Sequence, residues 1–356
     1  MDDLTERLTW DVPSLTAETP GIGGVIRTEI DDFIVDEVPA YEPCGDGEHT
    51  YFGIEKRGIA TTNVANQLAQ KLGLRPRDVS FAGRKDTHAV TRQTFCVHNV
   101  PLETIEALEL DDARVLWASR HRNKLRMGHL RGNQFTIRIR DVTQNAAARA
   151  EAILETLARR GVPNAYGPQR FGSHGDNQIV GYHLLRHDTE ALKASGIHHP
   201  RRRMFDFYIS ALQSSLFNQV VATRINAGTL DTVITGDIAK KEDTGGIFTV
   251  EDTDAERPRA AAWEISATGP MYGYKMMQAQ ADAGDIETRI LAAAGIALED
   301  FRSAKAQGVR RPMRYNPKGL TWQMDGDDQL IVSFFAPKGS FATMLLRELM
   351  KTEDMR

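Results

Sequence analysis

The chain has 356 residues, of which 41% are apolar and 26% charged, with a formal net charge of -4. That length suits two domains, and the composition excludes a wholly disordered chain. No apolar run approaches the ~20 residues needed to cross a bilayer, and the N-terminus, Met1-Asp2-Asp3-Leu4-Thr5-Glu6, is acidic, so a cytoplasmic protein is expected. Cys44 and Cys96 are the only cysteines and form no CxxC, which supports neither a disulfide framework nor a cysteine zinc site.

In chain order, Val25-Ile26-Arg27 and Asp31 to Val38 read as short strands before Pro39. Thr61 or Thr62 is placed to cap a helix with Val64, Ala65, Leu68 and Leu72 on one face and Gly73 at its end. Next comes Phe81-Ala82-Gly83-Arg84-Lys85-Asp86-Thr87-His88, leading into a strand over Val90 to Val97. This sets one carboxylate, Asp86, between a glycine turn and a strand, among cations. Phe135, Ile137 and Ile139 alternate with Thr136, Arg138 and Arg140, which predicts an apolar face backed by a wall of positive charge. Ala146 to Arg160 reads as a helix stopped by Gly161.

Around Asn164 to Gly175 the texture turns to loop-forming residues, which marks a domain boundary. Helical spacing returns at Ile209, Leu212, Leu216, Val220 and Val221, and a strand at Leu330 to Phe335. A closing helix then opens at Gly339-Ser340, with Met344, Leu345 and Leu349 on its apolar face.

The charge is unevenly spread. Between Asp112 and Asp141 there is no acid, while Arg114, Arg120, Arg122, Lys124, Arg126, Arg131, Arg138 and Arg140 supply eight cations. A second acid-free stretch, Phe301 to Met324, carries Arg302, Lys305, Arg310, Arg311, Arg314 and Lys318; a third cluster is His198-His199-Pro200-Arg201-Arg202-Arg203. Three such segments favour a polyanion partner bound through its phosphates.

The chemistry narrows by elimination. His198-His199 lacks the spacing that aims two imidazoles at one ion, and there is no HExxH, so no metal is expected. Gly21-Ile22-Gly23-Gly24 lacks the rest of a phosphate loop, and no GxSxG supports acyl transfer. Asp86 remains. Read on its own it is a turn-capping residue, a covalent nucleophile or a proton acceptor, with Arg84, Lys85 and His88 favouring its ionised form.

Several blocks then resemble the TruD-type tRNA pseudouridine synthases: Gly83-Arg84-Lys85-Asp86 with His88 to Gln93; Lys124-Leu125-Arg126 through Gly128-His129-Leu130 to Gly132-Asn133-Gln134-Phe135; Gly167-Pro168-Gln169-Arg170-Phe171-Gly172; Thr268 to Gly273; Gly308 to Pro312; and Gly339 to Thr343 with Leu346-Arg347-Glu348-Leu349. They run in the family's order from about residue 25 to 350. The resemblance implies an α+β fold: a pseudouridine-synthase-like catalytic core over 1–163 and 312–356, with a mixed, largely antiparallel sheet flanked by helices, and an inserted α/β TRUD domain over 164–311. Between them it implies a cleft lined by basic segments.

It further implies a monomeric isomerase without cofactor that acts on the uridine at position 13 of tRNA. Asp86 matches the catalytic aspartate, and Arg27 matches a basic position, usually Lys, beside it. Phe135 matches the aromatic that stacks on the flipped base, and Phe33, Asn133 and Phe341 match pocket positions. Arg120, Arg122, Lys124, Arg126, Arg170, Arg310 and Arg311 are the expected RNA contacts. An RNA-binding protein without activity and a nucleotide hydrolase with an aspartate nucleophile are the rival readings.

Overall fold

A computed structural model describes residues 3–197 and 200–352; His198 and His199 lie outside the described residues. The chain forms two compact units, one of Pro20–Leu154, Pro317–Ala342 and Leu349–Arg356, the other of Met1–Thr19, Glu155–Asn316 and Thr343–Glu348.

The first unit is built on a nine-stranded sheet. Its strands are β1 (Gly23–Val25), β2 (Phe33–Pro39), β3 (His49–Arg57), β4 (Ser80–Phe81), β5 (Val90–His98), β6 (Ala113–His121), β7 (Leu130–Val142), β8 (Lys318–Met324) and β9 (Leu330–Pro337). The main path runs β8-β9-β7-β2-β5-β3-β6, with β1 paired to β7 and β4 to β5. Among the described residues only β2 and β5 pair in parallel, so the sheet is mixed and largely antiparallel.

Successive side chains on a strand face opposite ways. One face of β3 and β5 presents Phe52, Ile54, Phe95 and Val97, and Val64, Ala65 and Leu68 of the helix α1 (Thr61–Lys71) complete a core with them. Each of the larger of these side chains contributes roughly 1.5–3 kcal/mol through burial. On β7 the same alternation buries Phe135, Ile137 and Ile139, and Phe135 stacks on Phe334 of β9 with ring centroids 5.4 Å apart. The opposite face corrects the expected wall of charge. Arg140 donates to both oxygens of buried Asp32, and Arg138 pairs with Asp325 and lies 3.8 Å from Asp32, so these cations are neutralised across strands.

The helix Ala146–Arg160 forms as its composition predicts, and Gly161 ends it at φ +91°, where a side chain would be strained. At α1 the cap differs from expectation. Ala60 occupies the N-cap position without a side-chain bond, and the Thr61 hydroxyl bonds elsewhere.

The second unit centres on the helix Arg202–Asn226, which buries Ile209, Leu212, Leu216, Val220 and Val221. A four-stranded antiparallel sheet accompanies it, in the order Ile247–Thr249, Ile238–Lys241, Ile265–Met271 and Val309–Pro312. Among the described residues no helix is long and apolar enough to cross a membrane.

Candidate active site

The parallel pairing of β2 with β5 builds the site. Ile34 sits beside Val90, so the segments entering the two strands lie side by side. One carries Arg27, at φ +61° in the turn between β1 and β2; the other carries Asp86, in the loop between β4 and β5. Arg27 Nη2 donates to Asp86 Oδ1 at 2.8 Å, with the two side chains 14% and 41% exposed. The guanidinium also lies over the Phe33 ring, 4.3 Å from its centroid, which fixes its plane. His88 Nε2 lies 3.0 Å from the Arg27 carbonyl oxygen and ties the turn to the loop a second time.

The loop is pinned along its length. Gly128 N donates to the Ala82 carbonyl at 2.6 Å, and Gln93 Nε2 to the Gly83 carbonyl at 3.0 Å. Thr61 Oγ1 accepts from Lys85 N at 3.0 Å and bonds Gln93 Oε1 at 2.9 Å, which is why it does not cap its own helix. Lys56 Nζ donates to the Asp86 carbonyl at 2.6 Å. Lys85 does not approach the Asp86 carboxylate. Its ammonium lies 2.6 Å from Glu37 Oε2 and donates to Asn133 Oδ1 at 2.9 Å, with the Lys85 and Glu37 side chains 4% and 1% exposed. Glu37 and Asn133 are register partners across β2 and β7, so one lysine joins both strands to the loop.

These contacts bring Arg27, Phe33 and Asp86 together, and Lys85 ties Asn133 to the same loop. Phe33 is in edge-to-face contact with Phe135 at 6.1 Å. Phe33 and Phe135 are both buried within the sheet's apolar face, so the accessible part of this cluster is formed by its polar members. Phe341 is 40% exposed immediately before the helix Ala342–Met350. Lys56 and Glu37 do not stand out in the sequence as site residues. A signal exists for Lys56: it continues the alternation of buried positions through Phe52 and Ile54.

The basic residues divide. Lys124 and Arg126 are exposed and form no ion pair among the described residues. Arg120 donates to Thr50 Oγ1 at 3.0 Å, and exposed Arg122 pairs with Asp46 at 2.8 Å. In the second unit, half-buried Arg170 donates to Ser210 and Ser214 hydroxyls and lies over Tyr166 and Phe207; burial pushes its pKa below the usual arginine range. Arg311 donates to the Asn164 carbonyl and side-chain oxygens. Arg310 is a correction: it is buried and bidentate to Glu287 at 2.7 and 2.9 Å, so its guanidinium serves the interior of the unit and does not face a phosphate. Arg314 is likewise buried, donating to the Arg160 and Ala260 carbonyls. Within the second acid-free stretch, Arg310 and Arg314 therefore lie in the interior, Arg310 with an acid, Glu287, supplied from outside the stretch, while Arg302, Lys305 and Lys318 are exposed.

Among the described residues no group of three or more His, Cys, Asp or Glu is placed to hold a metal ion. An exposed carboxylate on a loop bonded at five points, with a guanidinium orienting one oxygen, is suited to attack or proton removal at a sugar or base held against it.

The fold and the site define a mixed-sheet protein with an oriented, accessible carboxylate, and comparison with known proteins gives its family. The family model "tRNA pseudouridine synthase D (TruD)" matches residues 10–202 and 191–349, and the chain belongs to that family. It is 47% identical over 345 residues to tRNA pseudouridine synthase D of Thermus thermophilus, covering 96% of this chain and 93% of that one. It is 40% identical over 397 residues to the namesake from a Geobacter species, covering 95% and 99%. A crystal structure assigned to the same family, from Methanosarcina mazei, superposes with a TM-score of 0.80 at 26% identity over 99% of both chains.

Proposed function

We propose that this protein isomerises the uridine at position 13 of tRNA to pseudouridine, with Asp86 as the catalytic carboxylate. Family membership supports the reaction and the substrate class. The observation that carries the assignment of Asp86 is its exposed carboxylate, ion-paired to Arg27 on a loop whose backbone is fixed. The reaction breaks the bond from ribose C1′ to uracil N1, turns the base and joins C1′ to C5; the C5 proton leaves and N1 gains one. Atoms balance without an added reductant or group donor, which accords with a cofactor-free enzyme.

Asp86 acts on the nucleotide as nucleophile or on the ribose as base. Arg27 orients it, and Asn133, tethered by Lys85, is positioned to hydrogen-bond an extruded uracil. Phe33 and Phe135, both buried, form the apolar backing of the cluster, and Phe341, 40% exposed, is the ring this reading assigns to stacking on the base. Lys124, Arg126, Arg120 and Arg122 in one unit and Arg170 and Arg311 in the other are the phosphate contacts in this reading. The protein works as a monomer in the cytoplasm.

The test is to incubate the purified protein with tRNA transcripts and map pseudouridine by carbodiimide adduct and primer extension. A single stop at position 13, lost when that position is not uridine, is expected. Modification at other positions only overturns the assignment of the target. Binding without modification favours an RNA-binding protein that lacks the chemistry.

A further inference from the structure

We propose that Lys56 is a positioning residue for Asp86, its buried ammonium group holding the aspartate's main-chain carbonyl and placing a fixed positive charge beneath the loop. The inference rests on the reading of Asp86 as the catalytic carboxylate. A lysine ordinarily keeps its head group in water, and burying one costs stability unless something specific receives it. Lys56 is fully buried, and Nζ donates to the Asp86 carbonyl at 2.6 Å. Among the described residues no carboxylate lies within ion-pair distance of that nitrogen, so the interior carries this charge for a single receptor, the backbone of residue 86.

The surroundings isolate this contact. The chain neighbours of Lys56 face the other side of the sheet, where Glu55 pairs with Arg92 and Arg114, and Arg57 with Asp31. From the loop, the Asp86 carboxylate and Lys85 act on it with opposite sign. From β2 and the turn before it, Glu37 is engaged by Lys85 and Arg27 by Asp86, while His88 is tied to the Arg27 carbonyl. From β5 the register partner is the buried, uncharged Thr91. Burial, and to a lesser degree Lys85, lower the Lys56 pKa to about 8, against the raising effect of Asp86. The ammonium is thus present at neutral pH and is lost a little above it. Because the side chain is inaccessible, its loss changes turnover and leaves tRNA affinity as it was.

The experiment measures kcat and KM for tRNA by release of tritium from C5-labelled uridine between pH 6.5 and 9, for wild type, Lys56→Met and Asp86→Asn, with the Tm of each. Lys56→Met is expected to lower kcat at pH 7 by tenfold or more with KM within twofold. The ratio of wild-type to Lys56→Met kcat is expected to fall at least threefold from pH 7 to 9, a comparison in which ionisation of the uracil itself cancels. The Tm of Lys56→Met is expected to match or exceed that of wild type, since a desolvated charge has been removed. Wild-type kcat in the variant, a pH-independent ratio, or a loss of activity that tracks a fall in Tm would each overturn the proposal. If the variant does not fold, wild type alone decides: a kcat that shows no decline centred near pH 8 overturns it. An active Asp86→Asn refutes the reading of Asp86, whereas an inactive Asp86→Asn beside a fully active Lys56→Met refutes only the role of Lys56.

Discussion

Replacing Glu37 with glutamine removes one charge from a pair that is almost entirely inside the protein. The Lys85 ammonium and Glu37 carboxylate are 2.6 Å apart, with side chains 4% and 1% exposed. Glutamine fills the same volume and keeps an acceptor for the Thr94 N–H, which Glu37 now receives at 3.1 Å, so the change is electrostatic and leaves no cavity. Removing one partner of a buried pair leaves an uncompensated charge, at a cost of about 3–5 kcal/mol. For a unit of this size each kcal/mol lowers Tm by roughly 2–4 °C, so a fall of ~6–20 °C is expected by differential scanning calorimetry. Lys85→Met added to Glu37→Gln removes the orphaned ammonium and is expected to regain more than half of that loss. Asp86→Asn, which breaks a half-exposed pair, is expected to cost no more than about 1 kcal/mol. A Glu37→Gln cost below about 1 kcal/mol, or additive effects in the double variant, would show that this pair does not hold the loop.

Arg27→Ala removes the orienting guanidinium and is expected to lower kcat/KM ten- to a hundredfold, or about 1.4–2.7 kcal/mol in the transition state. Arg27→Lys retains the charge and is expected to lose less, as steady-state tritium release would show. Burial pushes the Asp32 carboxyl up, but its bonds from Arg140 and the Glu29 backbone outweigh this and hold its pKa below the usual 3.8. The stability it contributes is therefore complete above the unfolded value and lost as pH falls through the lower folded one. Asp32→Asn is expected to flatten that acid limb in unfolding followed by circular dichroism between pH 5 and 2. Lys124→Ala and Arg126→Ala are each expected to reduce the slope of log affinity for tRNA against log salt by about 0.7–0.9, as for a lost phosphate contact. Arg310→Ala is expected to lower Tm and leave that slope unchanged.

How much of the molecule is legible in its sequence follows from the range of the forces involved. Alternation along β7 and the composition of Ala146 to Arg160 with its Gly161 stop are local patterns, and both elements form where those patterns lie. Charge balance is not local. Arg140 is neutralised by a residue 108 positions away, Arg138 by one 187 away and Arg310 by one 23 away, so acid-free windows look like open cationic surface when much of it is paired. The same holds at the site. Asp86 stands out because a carboxylate among cations is conspicuous, yet the cations beside it in sequence do not bind it: Lys85 turns to Glu37, and the partner that does bind it is Arg27, 59 residues earlier. Arg27 is marked in the sequence only through family resemblance. Lys56 is legible only as a lysine continuing an apolar alternation, a signal that gains meaning once β3 is seen to pass beneath the loop.

The most direct measurement is single-turnover release of tritium from C5-labelled tRNA by wild type and by Asp86→Asn, with tRNA binding and Tm measured on the same preparations. Release by wild type is expected, and from Asp86→Asn none above background, although the variant folds and binds tRNA. Release by a folded Asp86→Asn at a rate near that of wild type would remove the carboxylate from the chemistry and contradict its assignment as nucleophile or base.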